Sequence, residues 1–278
     1  MKSAVLGLLA ETSLHPGVGQ VVGAVDLPVA RERPTSYPVI VGSSLKGSLR
    51  DRAEQLWGEE DERIVRLFGG PDKAGSVLVT DARLLLLPVR SLQGHYKWVT
   101  CPYLLERLDR DLKLAGVPQT FTIPRPQNGE AVTSQGQGSL FLEELSFRVR
   151  TGGNELSVLI NTLKQFIRHD AVRDRLPAGL AIISDDELAY FARYGLAVNA
   201  RNVLDNETKT SQNLWYEETI PPDTLFYALL FARDKEGSDL DEVKAIFHDR
   251  PYLQVGGNET IGQGWCAVSW IAAGGEGK

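Results

Sequence analysis

The chain has 278 residues, 42% of them hydrophobic and 24% charged, enough to bury one large core or two small ones. Its formal net charge of −6 counts against a generic nucleic-acid binder, since such domains are usually basic overall. No apolar run reaches membrane-spanning length and no signal-like segment opens the sequence, so a cytoplasmic protein without membrane partners is expected. Cys101 and Cys266 lie far apart without a Cys-x-x-Cys neighbour, which excludes a disulfide framework and a zinc finger.

Ala4–Leu14 is apolar enough for a central strand, and the Pro- and Gly-rich stretch that follows to Val41 reads as a long irregular segment. Loops of that length in a compact domain are often functional. Residues 43–57 form the first clear helix, with Leu45, Leu49, Ala53 and Leu56 at one-turn spacing and Ser43 or Ser44 placed to cap it. Gly47, a poor helix former in its first turns, suggests a close backbone approach. Between Arg31 and Arg52, five basic residues (Arg31, Arg33, Lys46, Arg50, Arg52) stand against two acidic ones, a local +3. Such a patch on an acidic body can hold one polyanion at a chosen place, and a helix N-terminus with two hydroxyls and Lys46 suits a phosphate.

Ser76–Leu87 reads as one or two buried strands, and Leu104, Leu105, Leu108 and Leu112 mark a helix. Residues 116–138 look like an irregular insertion, and Leu140–Val149 like a strand. Leu156, Leu159, Ile160, Leu163, Phe166 and Ile167 give a second strong helix face, followed by a short helix at Asp185–Arg193. Leu196–Leu204 and Asn213–Ile220 flank a polar tip and read as a long hairpin arm. Thr224–Arg233 is the most convincing core strand, and Asp239–Phe247 a helix. This interleaving predicts an α+β sheet with helices on one face, in a single domain spanning 1–278.

The C-terminal run Tyr252–Cys266 places Gly256, Gly257, Gly262 and Gly264 between two short apolar segments. Glycines let a backbone press its N–H groups onto phosphates. No Lys-Ser/Thr and no helix follow Gly262, so this is neither a Walker loop nor a dinucleotide fingerprint. The competing reading is a bulged hairpin whose glycines satisfy turn geometry.

The block Asp26–Arg50 resembles the RAMP superfamily of CRISPR proteins, and more narrowly the backbone subunit of the type III-B (Cmr) effector complex. Residues 88–94 with Thr100-Cys-Pro102, residues 214–221 and the Gly loop fit the same subunit. The resemblance implies an RRM-like, ferredoxin-like palm with an inserted region over 88–139 and a β-hairpin thumb over 196–220. It also implies copies stacked into a helical filament on CRISPR RNA with other Cmr subunits, each cutting the paired single-stranded target RNA once, at regular intervals. Guide backbone would be held without regard to sequence by Ser43, Ser44, Lys46, Arg50, Gly256, Gly257, Gly262 and Gly264, with Arg31 and Arg33 as target-phosphate or subunit contacts. In the thumb, Leu196, Val198, Val203 and Leu204 are the candidate wedge residues, since an apolar side chain can replace a base in a stack.

The resemblance puts the catalytic carboxylate at Asp26; by local pattern alone, an Asp before Leu-Pro is a turn residue. It favours a divalent cation, Mg or Mn, bound at Asp26, attack by the ribose 2′-hydroxyl, and a product ending in a 2′,3′-cyclic phosphate. A metal-free acid/base pair is the other route. His15 is the histidine nearest Asp26 in sequence, and Glu217 and Glu218 at the thumb base are further helpers. Two other readings stay open: a structural filament subunit without cleavage, and a metabolic α+β enzyme using the Gly loop for a nucleotide phosphate.

Overall fold

The strand at the centre of the sheet is apolar on both faces, and this decides the layering. In the computed structural model, which describes residues 2–117, 119–233 and 237–272, β1 (Lys2–Ala10) is followed by β2 (Val39–Ile40), α1 (Gly42–Trp57) and α2 (Glu62–Phe68). A small ribbon, β3 (Gly69–Gly70) and β4 (Lys73–Ala74), leads to β5 (Val77–Val79), β6 (Ala82–Arg90), β7 (Tyr96–Thr100) and α3 (Pro102–Leu114). Next come β8 (Glu130–Thr133), β9 (Ser139–Leu142), β10 (Leu145–Thr151), α4 (Asn154–Lys164), α5 (Asp170–Gly179), β11 (Leu180–Ile182) and α6 (Asp185–Tyr194). The chain continues through β12 (Ala197–Leu204), β13 (Ser211–Thr219), β14 (Leu225–Ala232), α7 (Ser238–Ala245), β15 (Tyr252–Gln254) and β16 (Trp265–Ala272).

β1 lies between β14 and β16, antiparallel to both, and β14 pairs antiparallel with β6. The unit β1-α1-β6-β14-α7-β16 is therefore a βαββαβ motif with strand order β16-β1-β14-β6, which is the ferredoxin-like palm. Beyond β6 the sheet continues through β7, β11, β8, β10 and β9, all from the insertion and the segment after it. β12 and β13 form a separate two-stranded arm.

Helices cover both faces of this sheet, not the one face expected. Ala4, Leu6 and Leu8 of β1 and Phe226, Ala228 and Leu230 of β14 join one apolar cluster with α1, α2, α6 and α7. Val5 and Leu9, with Leu225, Tyr227 and Leu229, join a second cluster built with α3, α4 and α5. The palm's own helices do share one face, as the motif requires. The inserted helices bury the other, because two central strands apolar on both faces leave neither face stable in water. An RNA laid across the open sheet face is thereby excluded.

Gly7 shows how tightly that second layer sits: a Cβ there would come within 2.3 Å of the Phe166 carbonyl oxygen and 2.8 Å of its Cα. We expect Gly7→Ala to cost about 1–3 kcal/mol through forced backbone shifts. A thermal melt of the variant that overlays the wild type would refute this packing.

Several local readings change. Two helices absent from the sequence reading, α2 and α5, are present, and β8 lies within the supposedly irregular 116–138. Residues 140–149 form a hairpin, β9 and β10 turning at Glu143 with φ of 46°, in place of one strand. Neither Ser43 nor Ser44 caps α1: its N-cap is Val41, without a side-chain bond. The Asp81 carboxylate accepts the Gly42 N–H at 2.7 Å instead. A carboxylate from the β5–β6 link therefore occupies the anion position that the sequence assigned to a phosphate. Ser43 and Ser44 remain exposed beside it. A Cβ built at Gly47 meets open space beyond its own helix, so none of the described residues makes the close backbone approach expected there.

Candidate functional site at the thumb base

The long segment between β1 and α1 is irregular in shape but closely bonded. Gly17 bridges Val29, Ala30 N–H donates to Pro16 O at 2.6 Å, and Arg31 bridges Pro38. Its midpoint is fastened to the thumb. The N–H groups of Asp26 and Leu27 both donate to Tyr216 O at 3.1 Å, and Glu218 N–H donates to Leu27 O at 3.0 Å. Asp26 Oδ2 accepts the Tyr216 N–H at 2.8 Å, and Oδ1 has no protein partner among the described residues. A half-buried carboxylate with one oxygen anchored and one free stands at the edge of β13.

The structure brings His15, Glu217 and Glu218 to the same place, each in a definite bond. His15 is buried, and its Nδ1 donates to Glu218 O at 2.8 Å, which fixes the tautomer because a carbonyl only accepts. Glu217, 3% exposed, accepts from the Asn258 side-chain amide in the Gly loop. Glu218 Oε1 pairs with Arg31 Nη2 at 2.5 Å, and Oε2 accepts the Val29 N–H at 3.1 Å. Both of its oxygens are committed, so Glu218 anchors the loop and is not a free acid or base.

Arg31 is corrected for the same reason. Its Nη1 also donates to Ser36 O and Ala192 O, at 2.8 and 2.7 Å, so it staples the loop to the thumb base and α6 and does not face a phosphate. Arg33 is exposed and carries no ion pair among the described residues, which leaves it available.

The Gly loop follows the turn-geometry reading. Gly256, Gly262 and Gly264 all have positive φ, at 84°, 80° and 95°. The N–H groups of Gly257, Gly262 and Gly264 donate to His15 O, Glu259 O and Ser13 O, each at 2.9 Å, so they are not a free phosphate cradle. A Cβ on Gly256 would reach 2.6 Å from His15 O. The loop's glycines let it close on the His15 segment and seat the site from below. Gly257 and residues 259–262 form the exposed part of its surface.

In the thumb, Leu196 is 7% exposed and belongs to the core, so it is not a wedge. Val198, Val203 and Leu204 are exposed as expected. Leu214 and Tyr216, which the sequence reading passed over, are exposed too, and their cross-strand partners are Asn202 and Ala200. With Val198 opposite Glu218, period-two alternation puts Val198, Ala200, Leu214 and Tyr216 on one face. Tyr216 is also the residue whose backbone holds Asp26. Alternation within 213–219 was the signal available for it.

Lys46 and Arg50 leave the helix N-terminus altogether. Lys46 Nζ donates to Val77 O at 2.9 Å, and Arg50 reaches Gly69 O at 2.8 Å and Glu54 at 2.6 Å. Burial, and then the neighbouring Arg233 charge, holds the Lys46 ammonium below its ordinary pKa. Burial pushes both cysteine thiols up to about 12, leaving them inert at neutral pH.

No group of three or more His, Cys, Asp or Glu able to hold a metal occurs among the described residues. Asp26 Oδ1 and Glu217 Oε2 have no protein partner among the described residues, while both Glu218 oxygens are committed. No helix among the described residues is long and apolar enough to cross a membrane.

A ferredoxin-like palm, a two-stranded arm, and a carboxylate and Gly-rich loop at the arm's base define one class of fold. The chain belongs to the RAMP superfamily, whose family model matches residues 8–267. It is 36% identical to the CRISPR system Cmr endoribonuclease Cmr4 of Pyrococcus furiosus, covering 97% of this chain and 96% of that protein. The CRISPR system CMR subunit Cmr4 of Saccharolobus solfataricus is 25% identical, with 94% of each chain covered. The crystal structure of oligomeric Cmr4 from Pyrococcus furiosus superposes with a TM-score of 0.79 at 32% identity, covering 98% of both chains. A Type III-B Cmr-beta complex bound to cognate target RNA contains a chain of the same fold, with a TM-score of 0.78 at 22% identity.

Proposed function

We propose that this chain is a guide-RNA-binding filament subunit of a type III-B effector complex and cleaves the paired target RNA at regular intervals. Its partners in this reading are CRISPR RNA, single-stranded target RNA, further copies of itself and other Cmr subunits. The observation that carries it is the Asp26 carboxylate, fastened by one oxygen to the thumb strand and open at the other. The similarity to an endoribonuclease of the same system over nearly the whole chain supports it.

The exposed thumb face of Val198, Leu214 and Tyr216 replaces a base in the stack and turns one target nucleotide out. Splaying lets the ribose 2′-hydroxyl line up behind its own phosphorus. The new O2′–P bond forms as the P–O5′ bond breaks, leaving a 2′,3′-cyclic phosphate and a 5′-hydroxyl. Asp26 sits at the base of that face, where its free oxygen takes the 2′-hydroxyl proton as the O2′–P bond forms, while solvent water protonates the departing O5′. His15, Glu217 and Glu218 hold the loop and thumb in register around it. A divalent cation, Mg or Mn, would be held by the free Asp26 oxygen and would supply positive charge beside the scissile phosphate.

The test is a denaturing gel of labelled complementary RNA incubated with the protein assembled on guide RNA, with and without chelator. A ladder of evenly spaced products is the expected result, and its loss with chelator would support the cation. Stable target binding without any ladder would instead identify a structural filament subunit.

A further inference from the structure

We propose that the valine-rich loop between His15 and Asp26 covers the base of the turned-out target nucleotide, with Val21 and Val22 as the contact residues. The inference rests on the cleavage reading above and adds to it the place where the displaced base goes. Residues 17–24 are all exposed, and no Lys, Arg, Asp or Glu occurs between Glu11 and Asp26. Val18 and Val21 are exposed and Val22 fully so, while Gln20 is the one polar side chain in the run. Aliphatic side chains held out in water gain free energy when something covers them. None of the described residues does so. A Cβ built at Gly19 meets nothing within 4 Å, and one at Gly23 meets only Val25 O, at 3.9 Å.

The loop is nonetheless fixed to the site. Val21 N–H donates to Asp26 O at 3.0 Å, which closes the turn over 21–26 and keeps Val21 and Val22 beside the carboxylate. At the other end Gly17 bridges Val29, and its N–H donates to His15 O at 2.9 Å. Asp26 is thereby bonded to two exposed apolar surfaces, the thumb face through Tyr216 and the loop through Val21. In the cleavage reading the thumb face fills the gap in the stack, so the displaced base emerges next to Asp26. The second apolar surface at that point is this loop.

The chemistry of the run selects a base over a phosphate. Without a cation it offers a backbone phosphate no counter-charge, whereas apolar side chains cover the face of an extruded base. Valine carries no donor or acceptor to read a base edge, so all four bases are accepted alike, as cuts set by spacing demand. Holding the base also restrains its ribose. The benefit therefore falls on the cleavage step and not on target binding, which guide pairing supplies.

The wild type, Val21→Ser with Val22→Ser, and Val21→Ile with Val22→Ile should be assembled on guide RNA and compared in single-turnover cleavage. Two targets are needed, one intact and one abasic at the displaced nucleotide. Both side chains are exposed and the Val21–Asp26 bond is backbone, so melting curves should overlay. On the intact target the serine variant should cut about tenfold more slowly, with the isoleucine variant at the wild-type rate and target retention unchanged. On the abasic target all three should cut at one rate, about tenfold below the wild type on the intact target, because the loop has no base to hold. A serine defect of equal size on both targets would overturn the base contact and leave the loop as part of the site's frame. Normal cleavage of the intact target by the serine variant would also overturn it; weakened self-association of the RNA-free variant would then identify a second copy as the occupant. Absence of any ladder from the wild-type assembly would remove the cleavage reading, and this inference with it.

Discussion

Asp26→Asn should abolish target cleavage, by about 100-fold or more, while leaving assembly and target binding near wild type. Asparagine keeps an oxygen to accept the Tyr216 N–H, so the loop stays fastened to β13 and only the charge and the free carboxylate oxygen are lost. Asp26→Ala removes that anchor as well. It should be equally inactive, with a small additional loss of stability of about 1 kcal/mol for the missing hydrogen bond. The readout is the product ladder beside target retention on a native gel. If Asp26→Asn cuts normally while Asp26→Ala does not, the residue is a structural pin and the chemistry lies elsewhere. If target binding collapses in both, the loop conformation carries recognition and the catalytic assignment fails.

The second large effect concerns Arg31. Removing its guanidinium leaves the Glu218 carboxylate, 9% exposed, without its counter-charge, and two carbonyls lose their donor. Breaking one side of such a pair typically costs about 3–5 kcal/mol, so Arg31→Ala should lower the unfolding midpoint markedly. The double variant Arg31→Met with Glu218→Gln should recover part of that loss, because the uncompensated charge is gone. Denaturant unfolding of the wild type, Arg31→Met, Glu218→Gln and the double variant measures the coupling directly. Wild-type stability in Arg31→Ala, combined with weakened RNA binding, would return Arg31 to the phosphate contact that its position in a basic stretch first suggested.

The thumb base illustrates how a site can be half legible. Asp26 was named through the resemblance of its segment to one family, His15 as the histidine nearest to it in sequence, and Glu217 and Glu218 by their place at the thumb base. What each does there was not legible, because the roles depend on which oxygen meets which donor across nearly two hundred residues of chain. Arg31 and Glu218 cancel one another only once β13 lies beside the loop. The four glycines near the C-terminus were equally visible, but three of their N–H groups, those of Gly257, Gly262 and Gly264, are spent on the loop's own closure and on the Ser13–His15 segment. Asp81 is the opposite case, a residue with no local signal that takes over the start of α1.

Local pattern was enough for the strands β1, β14 and β16, the helices α1, α3, α4, α6 and α7, and the arm of β12 and β13. Their apolar periodicity is strong and their turns carry glycine or polar clusters. The short helices α2 and α5 and strand β8 lacked that contrast and were missed. The sequence alone therefore determined the α+β class and the arm, since periodicity is a property of neighbours in the chain, and it singled out Asp26 only through the family resemblance. Only the tertiary structure decided that both sheet faces are covered, which charges are neutralised, and that the valine-rich loop and the thumb meet at Asp26. Those outcomes depend on burial and on pairing between distant segments, and no local stretch of sequence carries that information.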